Sequence, residues 1–349
     1  MGTQGCKWLA RLGAGLIMLA LAGPRAEADA IRSTTRYTVT DLGDVPGGVH
    51  YTPGALNNAG QAVGDYHTAT DIGAFYYADG VMRPRAMSAK ALNDAGETPM
   101  APGDRAINNR GETAGSRDFA WSPEPRATLT TAGETIVIHP AGAVTSIALG
   151  LNDHGQAVGN HRHPDGTSTP FLYGDGATID LGPAGPSPGS TAAYDINNLG
   201  QVVGIHIWDG GAEGFLYEDG RYQLLGTLPG GTSGGSMAVA INDLGQVVGH
   251  SSSALGSRAF LYEGGVMLDL NDLTPPDAGW ILHDAVDIND KGQILVKGGR
   301  NTGGSRALLL TPDPVPVPEP TALMTLAALG LGLAWRRHQR RTRTHAVRR

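Results

Sequence analysis

The chain has 349 residues and a formal net charge of −7, and its 52 glycines contrast with only 5 phenylalanines and 1 cysteine. Basic residues gather near the two ends, so residues 31–318 keep 16 basic and 30 acidic residues. An acidic body argues against nucleic acid as a partner, because phosphate binding needs basic patches that displace counterions. A single cysteine excludes an intrachain disulfide, so the fold must depend on packing.

The first 30 residues have the order of a secretory signal peptide. Two basic residues, Lys7 and Arg11, precede an apolar stretch over residues 12–22, and small-residue triplets end at Ala28 and Ala30. We expect signal peptidase to cleave after one of these two alanines. The apolar stretch is too short for a permanent membrane anchor. Cys6 precedes this stretch, whereas the lipid-bearing cysteine of a lipoprotein would follow it.

One aromatic position recurs along residues 37–311. All five phenylalanines of the chain occupy it, at steps of 44, 52, 44 and 45 residues, and a further step of 48 residues reaches a leucine. Self-similarity with a period of about 40–50 residues predicts stacked or radially arranged modules, with this position in the core. The predicted core residues are Phe75, Phe119, Phe171, Phe215, Phe260 and Leu308.

A second motif runs in register with the first: an aliphatic residue, Asn, Asn or Asp, any residue, Gly, and Gln or Glu. Asn and Asp tolerate turn geometry and Gly accepts a positive φ, so the motif predicts a tight hairpin turn. The leading asparagines are Asn57, Asn108, Asn152, Asn197, Asn242 and Asn289. A stray copy begins at Asn93, only 15 residues before Asn108, which is too few for a unit of its own.

Each unit contains four short runs of β-branched, aromatic or alternating apolar residues and almost no helical periodicity. Four strands per unit form one blade of a β-propeller, so we predict an all-β propeller of six blades over residues 37–311. A strand beginning at Tyr37 precedes the first unit, and the last unit lacks a fourth strand, so the N-terminal strand is predicted to close the ring. Seven blades remain the alternative, if the copy at Asn93 belongs to a degenerate blade.

The C-terminus carries a second targeting pattern. A proline-rich linker over residues 312–320 precedes an apolar segment over residues 321–335, and residues 336–349 are rich in arginine. The defining residues are Pro318, Glu319, Pro320, Arg336 and Arg337. The apolar segment is short for a helix that crosses a hydrocarbon core of about 30 Å. The plain interpretation is a transmembrane segment with a cytoplasmic basic tail. Apolar targeting helices are thus predicted to flank the propeller at both ends.

This C-terminal order resembles the PEP-CTERM sorting signal of Gram-negative bacteria. The resemblance implies transient anchoring in the inner membrane through residues 321–335, recognition by an exosortase and removal of the tail. It further implies release of the protein or its attachment at the cell surface.

The repeats of residues 37–311 resemble the HAF repeat, an extracellular repeat with an Ile-Asn-x-x-Gly-Gln turn and an Ala-Phe strand. Ala74-Phe75 and Ala259-Phe260 match the strand. The histidine that gives the repeat its name is absent, because Gly73 and Arg258 stand at that position. Any role of that histidine is therefore not carried over to this chain.

Oxygen-bearing residues before two of the turn glycines suggest a calcium site. The Ca²⁺ candidates are Asp195, Asn197, Asp287 and Asn289. Glutamine follows the glycine in both segments, where a calcium loop would go on to end in a bidentate carboxylate, so a simple turn is the alternative. No other cofactor is predicted.

Histidines suggest a second possibility. His161 and His163 would lie on the same face of a strand, and imidazoles so placed can hold zinc. His206 shares with His161 an offset of two residues from a glycine. Histidines at exposed strand ends are the alternative, because no third ligand recurs at a consistent position.

The sequence contains none of the common catalytic motifs, such as Gly-x-Ser-x-Gly, His-Glu-x-x-His or a phosphate-binding Gly-Lys-Ser/Thr loop. We therefore predict an exported binding or scaffold module, with exopolysaccharide or biofilm matrix as its candidate partner. The alternative is a secreted propeller enzyme, a glycoside hydrolase or lyase. An enzyme would place three or more non-repeated Asp, Glu, His or Arg residues clustered in one deep axial pocket, whereas a scaffold would present blade-equivalent residues there.

Overall fold

The structure is a computed structural model that describes residues 35–120, 122–185, 188–231, 234–300 and 303–314. In chain order its strands are β1 (Tyr37–Asp41), β2 (His50–Leu56), β3 (Ala62–His67), β4 (Ile72–Ala78), β5 (Val81–Arg85), β6 (Asp104–Ile107), β7 (Thr113–Phe119), β8 (Ser122–Thr131), β9 (Glu134–Ile138), β10 (Thr145–Leu151), β11 (Ala157–Arg162), β12 (Ser168–Gly174), β13 (Ala177–Asp180), β14 (Gly189–Ile196), β15 (Val202–Trp208), β16 (Gly211–Glu218), β17 (Arg221–Leu224), β18 (Ser236–Ile241), β19 (Val247–Ser253), β20 (Gly256–Glu263), β21 (Val266–Asp269), β22 (Ile281–Ile288), β23 (Ile294–Gly299) and β24 (Arg306–Pro312).

These strands form six four-stranded antiparallel sheets, which confirms the predicted six-bladed propeller. Blades 1 to 5 are the consecutive groups β2–β5, β6–β9, β10–β13, β14–β17 and β18–β21. Blade 6 contains β22, β23 and β24, and β1 supplies its fourth strand. In the described part of the chain, the one helical element is a 3-10 turn at Pro276–Ala278.

The N-terminal strand closes the ring, as predicted. β1 pairs with β24 in a register that places Val39 opposite Leu310. Just beyond the pairing, the Leu42 amide donates to the Ala307 carbonyl at 3.1 Å. Because strands from the two ends of the repeat region pair in one sheet, blade 6 has all four of its strands and the ring of blades is closed.

The recurring aromatic position lies on the third strand in blades 1, 3, 4 and 5. Each of these phenylalanines is fully buried and faces a glycine on the second strand: Phe75 faces Gly64, Phe171 faces Gly159, Phe215 faces Gly204 and Phe260 faces Gly249. A Cβ on Gly64 would lie 2.7 Å from the Phe75 ring. The glycine is therefore needed for space, because the ring packs over its backbone. In blade 6, Leu308 is fully buried on β24.

Blade 2 departs from the expectation. Phe119 lies at the end of β7, the second strand, and is only partly buried. In the register of the other blades, Thr128 on β8 faces Gly115 and takes the core position. Phe119 follows its turn asparagine by 11 residues, against 18 or 19 elsewhere, because it belongs to the hairpin between the second and third strands.

The two predicted targeting helices, residues 1–30 and 321–335, lie outside the described residues. Within the described ranges, no helix has the length and apolar character needed to cross a membrane.

Candidate functional site: the axial cavity

Each turn motif is held by its leading asparagine. The Asn57 Oδ1 accepts the backbone amides of Ala59 at 3.0 Å and Gln61 at 2.9 Å, and Asn57 Nδ2 donates to Gln61 Oε1 at 2.7 Å. Gly60 has a φ of 77°, which a residue with a Cβ rarely adopts. These contacts explain why the motif needs Asn, Gly and Gln at fixed spacing.

The second Nδ2 hydrogen of each leading asparagine links its turn to the next. It donates to the backbone carbonyl of the next leading asparagine at 2.9–3.1 Å. The chain of donors runs from Asn57 through Asn93, Asn108, Asn152, Asn197, Asn242 and Asn289 and returns to Asn57. We call these seven residues the Asn ring. The copy at Asn93 belongs to no four-stranded sheet, yet it is the seventh member.

The next residue of each turn forms a second closed ring, the Asn/Asp ring. Each backbone amide donates to the side-chain Oδ1 of the following member at 2.8–2.9 Å. Its members in order are Asn58, Asp94, Asn109, Asp153, Asn198, Asp243 and Asp290. Asn and Asp alternate, and asparagine Nδ2 donates to aspartate Oδ2 between neighbours. Seven is odd, so the alternation must fail once, and it fails where Asp243 meets Asp290.

Inside the rings lies an axial cavity of about 560 Å³, lined by the first strands of the blades and by the turns. Most of its wall repeats from blade to blade. Two residues before the leading asparagine, five of the seven turns have Ala or Gly. Blades 4 and 6 have Asp195 and Asp287 at this position. Arg105, an exposed residue, also lines the cavity. The wall therefore combines a repeated polar ring with four non-repeated charged residues, Lys90, Arg105, Asp195 and Asp287.

Both aspartates connect neighbouring blades. Asp195 Oδ2 accepts the Ile241 amide of blade 5 at 3.0 Å, and Asp287 Oδ2 accepts the Leu56 amide of blade 1 at 2.6 Å. In each case Oδ1 accepts the amide of the following residue in its own chain segment at 2.8 Å. Every carboxylate oxygen of the pair thus has a backbone donor.

Burial in the cavity wall raises the pKa of both carboxyl groups. It raises the pKa of Asp195 to about 6, against the opposing hydrogen bonds from Ile241 and Ile196. It raises the pKa of Asp287 to about 7, against the hydrogen bond from Leu56 and with a further contribution from the charge of Asp195. Two carboxyl groups that titrate near neutrality therefore share this cavity.

The four calcium candidates have their oxygens engaged. Asn197 Oδ1 accepts the amides of Leu199 and Gln201, and Asn289 Oδ1 accepts those of its own turn. With both aspartates bound to backbone amides, these side chains act as turn and blade connectors in the structure.

The histidines lie away from the axial turns, at the other end of β11. His161 is buried, and its Nε2 lies 3.3 Å from Asp180 Oδ2 on β13. Thr169 Oγ1 lies 3.1 Å from His161 Nε2 and 2.9 Å from His163 Nε2. Burial lowers the pKa of His161, and Asp180 opposes this shift. No pattern in the sequence indicates Asp180, because its approach to His161 depends on the register of β12 and β13.

His206 is buried in the equivalent position of blade 4, but its surroundings differ. Its Nδ1 lies 2.9 Å from Thr191 Oγ1, and its ring stacks on Trp208 with the centroids 5.3 Å apart. His161 and His206 therefore share a strand position without sharing a site.

Comparison with known proteins identifies the C-terminal signal. Residues 316–341 match the family described as the PEP-CTERM protein-sorting motif. The predicted sorting residues, Pro318, Glu319, Pro320, Arg336 and Arg337, fall within that match and lie outside the described structure. The motif implies export, processing by an exosortase and sorting to the bacterial surface or exterior. No curated protein matches the sequence.

Solved structures are similar to this chain at sequence identities of 11–12%. A putative TolB from Agrobacterium tumefaciens is 12% identical with a TM-score of 0.45, over 81% of this chain and 99% of that one. The Pyrococcus horikoshii acylaminoacyl peptidase is 11% identical with a TM-score of 0.49, over 80% of this chain and 54% of that one. YCF48 from Cyanidioschyzon merolae is 11% identical with a TM-score of 0.38, over 79% of this chain and 88% of that one.

Proposed function

We propose that this chain is an exported, surface-sorted binding module that takes a polysaccharide in its axial cavity. In this proposal signal peptidase removes residues 1–30, and residues 321–335 anchor the chain transiently in the inner membrane of a Gram-negative cell. An exosortase then processes the tail, and residues 37–311 act as an extracellular HAF-type repeat domain. The binding role is independent of whether the mature protein stays on the surface or leaves it.

The observation that carries the binding role is the composition of the cavity wall. Asn and Asp side chains of the Asn/Asp ring are partly or fully exposed around the cavity, and their carboxylate and amide oxygens offer acceptors. The Nδ2 groups of the ring asparagines already donate to neighbouring aspartates, so the donors of the wall are the charged side chains Lys90 and Arg105. Sugars carry many hydroxyl groups, each of which can donate and accept, so such a wall matches a polyhydroxylated ligand. The exposed Arg105 at the same cavity could pair with an occasional acidic sugar.

The closed rings favour a binding module because they preorganise that wall. The Asn ring fixes each turn to the next through buried side chains, so little ordering is needed when a ligand arrives. Such a site needs no conformational change to bind its ligand. The repeated residues also present equivalent polar groups from each blade around the cavity.

Glycan-array binding tests the proposal with the exported protein and two tryptophan variants. Val239→Trp adds bulk to the cavity wall, whereas Val137→Trp adds the same side chain to a partly exposed position on β9. The proposal predicts binding by the wild type and by Val137→Trp, and loss of at least about tenfold in affinity for Val239→Trp. Absence of glycan binding by the wild type, or equal binding by both variants, would contradict it.

A propeller enzyme acting on a polysaccharide is the second candidate, because the axial cavity contains three non-repeated Asp and Arg residues, Asp195, Asp287 and Arg105, the number expected of an enzyme. Asp195 and Asp287 are non-repeated carboxyl groups of one cavity with raised pKa values, and glycoside hydrolases work with such pairs. Their four backbone hydrogen bonds favour the connector role instead. Incubation with any glycan that binds separates the two: new reducing or unsaturated ends, lost in Asp287→Asn, would support the enzyme.

A further inference from the structure

We propose that blade 3 carries a Zn²⁺ site formed by His161, His163 and Asp180. The three side chains meet at the end of β11 that lies away from the axial turns. Their ligand atoms all lie within 4.8 Å of one another. Within the described residues, no other group of three or more His, Cys, Asp or Glu side chains is close enough to hold a metal ion.

Strand register brings the three residues together. His161 on β11 is opposite Thr169 on β12, and Asp180 on β13 is opposite Phe171. Residues 169 and 171 lie on the same face of β12, because side chains alternate along a strand. His163 follows His161 by two residues and continues the same face. The cluster therefore spans three strands of one blade.

One pair of ligand atoms already has the spacing of a tetrahedral zinc ion. Ligand atoms about 2.0–2.1 Å from a tetrahedral zinc lie about 3.4 Å from each other. His161 Nε2 and Asp180 Oδ2 are 3.3 Å apart, close to that edge length. His163 Nε2 is 2.9 Å from the Thr169 hydroxyl, which also contacts His161 Nε2 at 3.1 Å. Rotation of the His163 side chain would bring the third ligand to the same centre.

The chemistry of the ligand set favours zinc over calcium. Two imidazoles and one carboxylate suit Zn²⁺ and neighbouring first-row ions, whereas Ca²⁺ prefers an all-oxygen shell. His161 is fixed by burial, His163 is partly exposed and Asp180 is exposed. An ion can therefore enter from solvent, and water would complete its coordination.

One buried atom limits the expected affinity. His161 Nδ1 is buried without a hydrogen-bond partner among the described residues. Zinc on Nε2 would place the imidazole proton on Nδ1, where it lacks the acceptor that commonly supports a metal-bound histidine. We therefore expect binding that is about 10–100-fold weaker than at a site whose histidines have such acceptors.

Blade 4 shows that the cluster is not a consequence of the repeat. His206 stands at the position of His161, but Trp208 replaces His163 and Leu224 replaces Asp180. In blade 5 an aspartate, Asp269, is present at the position of Asp180, but serines replace both histidines. Among these three blades, only blade 3 combines all three ligands.

Calorimetry with ZnCl₂ tests the site on the exported protein, purified without a polyhistidine tag. We expect one ion per chain, at least about tenfold weaker binding in His163→Ala and in Asp180→Ala, and no change in His154→Ala, which removes an exposed histidine of a turn. Absence of zinc binding by the wild type, or equal binding by the ligand variants, would overturn the proposal.

Cobalt provides a readout of geometry that general surface binding would not give. Co²⁺ in place of zinc should produce visible absorption bands of a four- or five-coordinate ion in the wild type and in His154→Ala. His163→Ala and Asp180→Ala should lose these bands while keeping the wild-type circular dichroism spectrum. A spectrum of hexaaqua cobalt in the wild type would also overturn the site. Neither result depends on whether the axial cavity binds a glycan.

Discussion

Asn93 donates from Nδ2 to the backbone carbonyl of Asn108 at 3.1 Å, although the two asparagines are only 15 residues apart. Its own carbonyl accepts Asn57 Nδ2 at 2.9 Å. A turn without a four-stranded sheet thus fills the gap between blades 1 and 2. The propeller has six sheets, but its axial turns close as a ring of seven.

The Asn ring predicts that Asn93 matters as much as an asparagine that belongs to a sheet. Asn93→Ala removes the side-chain donor to the Asn108 carbonyl and leaves the Glu97 amide without its side-chain acceptor, which costs about 1–3 kcal/mol for a buried group. Asn242→Ala should cost a similar amount. Urea unfolding of both variants measures this. A neutral Asn93→Ala beside a destabilised Asn242→Ala would show that the seventh member contributes nothing.

The single break in the Asn/Asp ring predicts different stabilities for two Asp-to-Asn variants. Asp153 Oδ2 accepts Nδ2 from both Asn109 and Asn198, so Asp153→Asn loses two hydrogen bonds. Asp290→Asn loses the bond from Asn58 but can donate to Asp243, and it removes a like-charge contact. Asp290→Asn should therefore be more stable than Asp153→Asn by about 1 kcal/mol or more.

Unfolding at several salt concentrations is the control for this difference in stability. The part of the difference that comes from like charges at Asp243 and Asp290 should shrink as ionic strength rises, because exposed charges are screened. Equal free energies of unfolding for the two variants would contradict the alternating arrangement.

Much of this architecture could be predicted because it repeats. The aromatic period and the turn motif indicate six blades, and the orphan strand at Tyr37 indicates the closure. The ring membership of Asn93 could not be predicted, because its 15-residue separation from Asn108 is too short for a blade, and the link between them exists only in three dimensions.

The wrong prediction for Phe119 and the missing prediction for Asp180 have the same origin. Phe119 has the residue type of the core position, but the register of β7 and β8 assigns that position to Thr128. Asp180 approaches His161 only through the pairing of three strands. Residue type predicts the features that all blades share. Features of a single blade depend on the register of its strands, which the sequence does not show.

The core position of blade 2 yields a stability prediction. Thr128 is fully buried, and its hydroxyl has no hydrogen-bond partner among the described residues. Thr128→Val should raise the free energy of unfolding by about 1 kcal/mol, because an unpaired buried hydroxyl is removed at constant shape. Thr191→Val is the matched control. Thr191 is equally buried, but its hydroxyl contacts the Ala184 amide and His206, so this variant should be destabilised. Thermal or urea unfolding gives both signs, and destabilisation of both variants would contradict the assignment.

The axial aspartates predict a pH dependence of stability. The folded state raises the pKa of Asp195 to about 6 and that of Asp287 to about 7, above the value of about 3.9 for an unfolded chain. Between about pH 3.9 and these folded pKa values, the folded protein therefore binds more protons than the unfolded chain. The contribution is fully present below about pH 4 and is lost as pH rises through the folded pKa values.

Replacement of both aspartates tests that sign. The variant Asp195→Asn/Asp287→Asn should gain stability relative to the wild type as pH rises from about 4 to about 8, by an amount on the order of a few kcal/mol. Asp219→Asn, at an exposed turn, is the control variant. The double variant would contradict the account if its stability relative to the wild type fell, or stayed constant, over this range.

Export and sorting are the premise of the proposed extracellular role, and the intact mass of the exported protein tests them most directly. The account predicts a chain that begins after Ala28 or Ala30 and has lost the arginine-rich end, with Arg336 and Arg337 absent. Replacement of Pro318, Glu319 and Pro320 by alanine should retain that end. An exported wild-type protein whose mass shows an intact terminus at Arg349 would contradict the account.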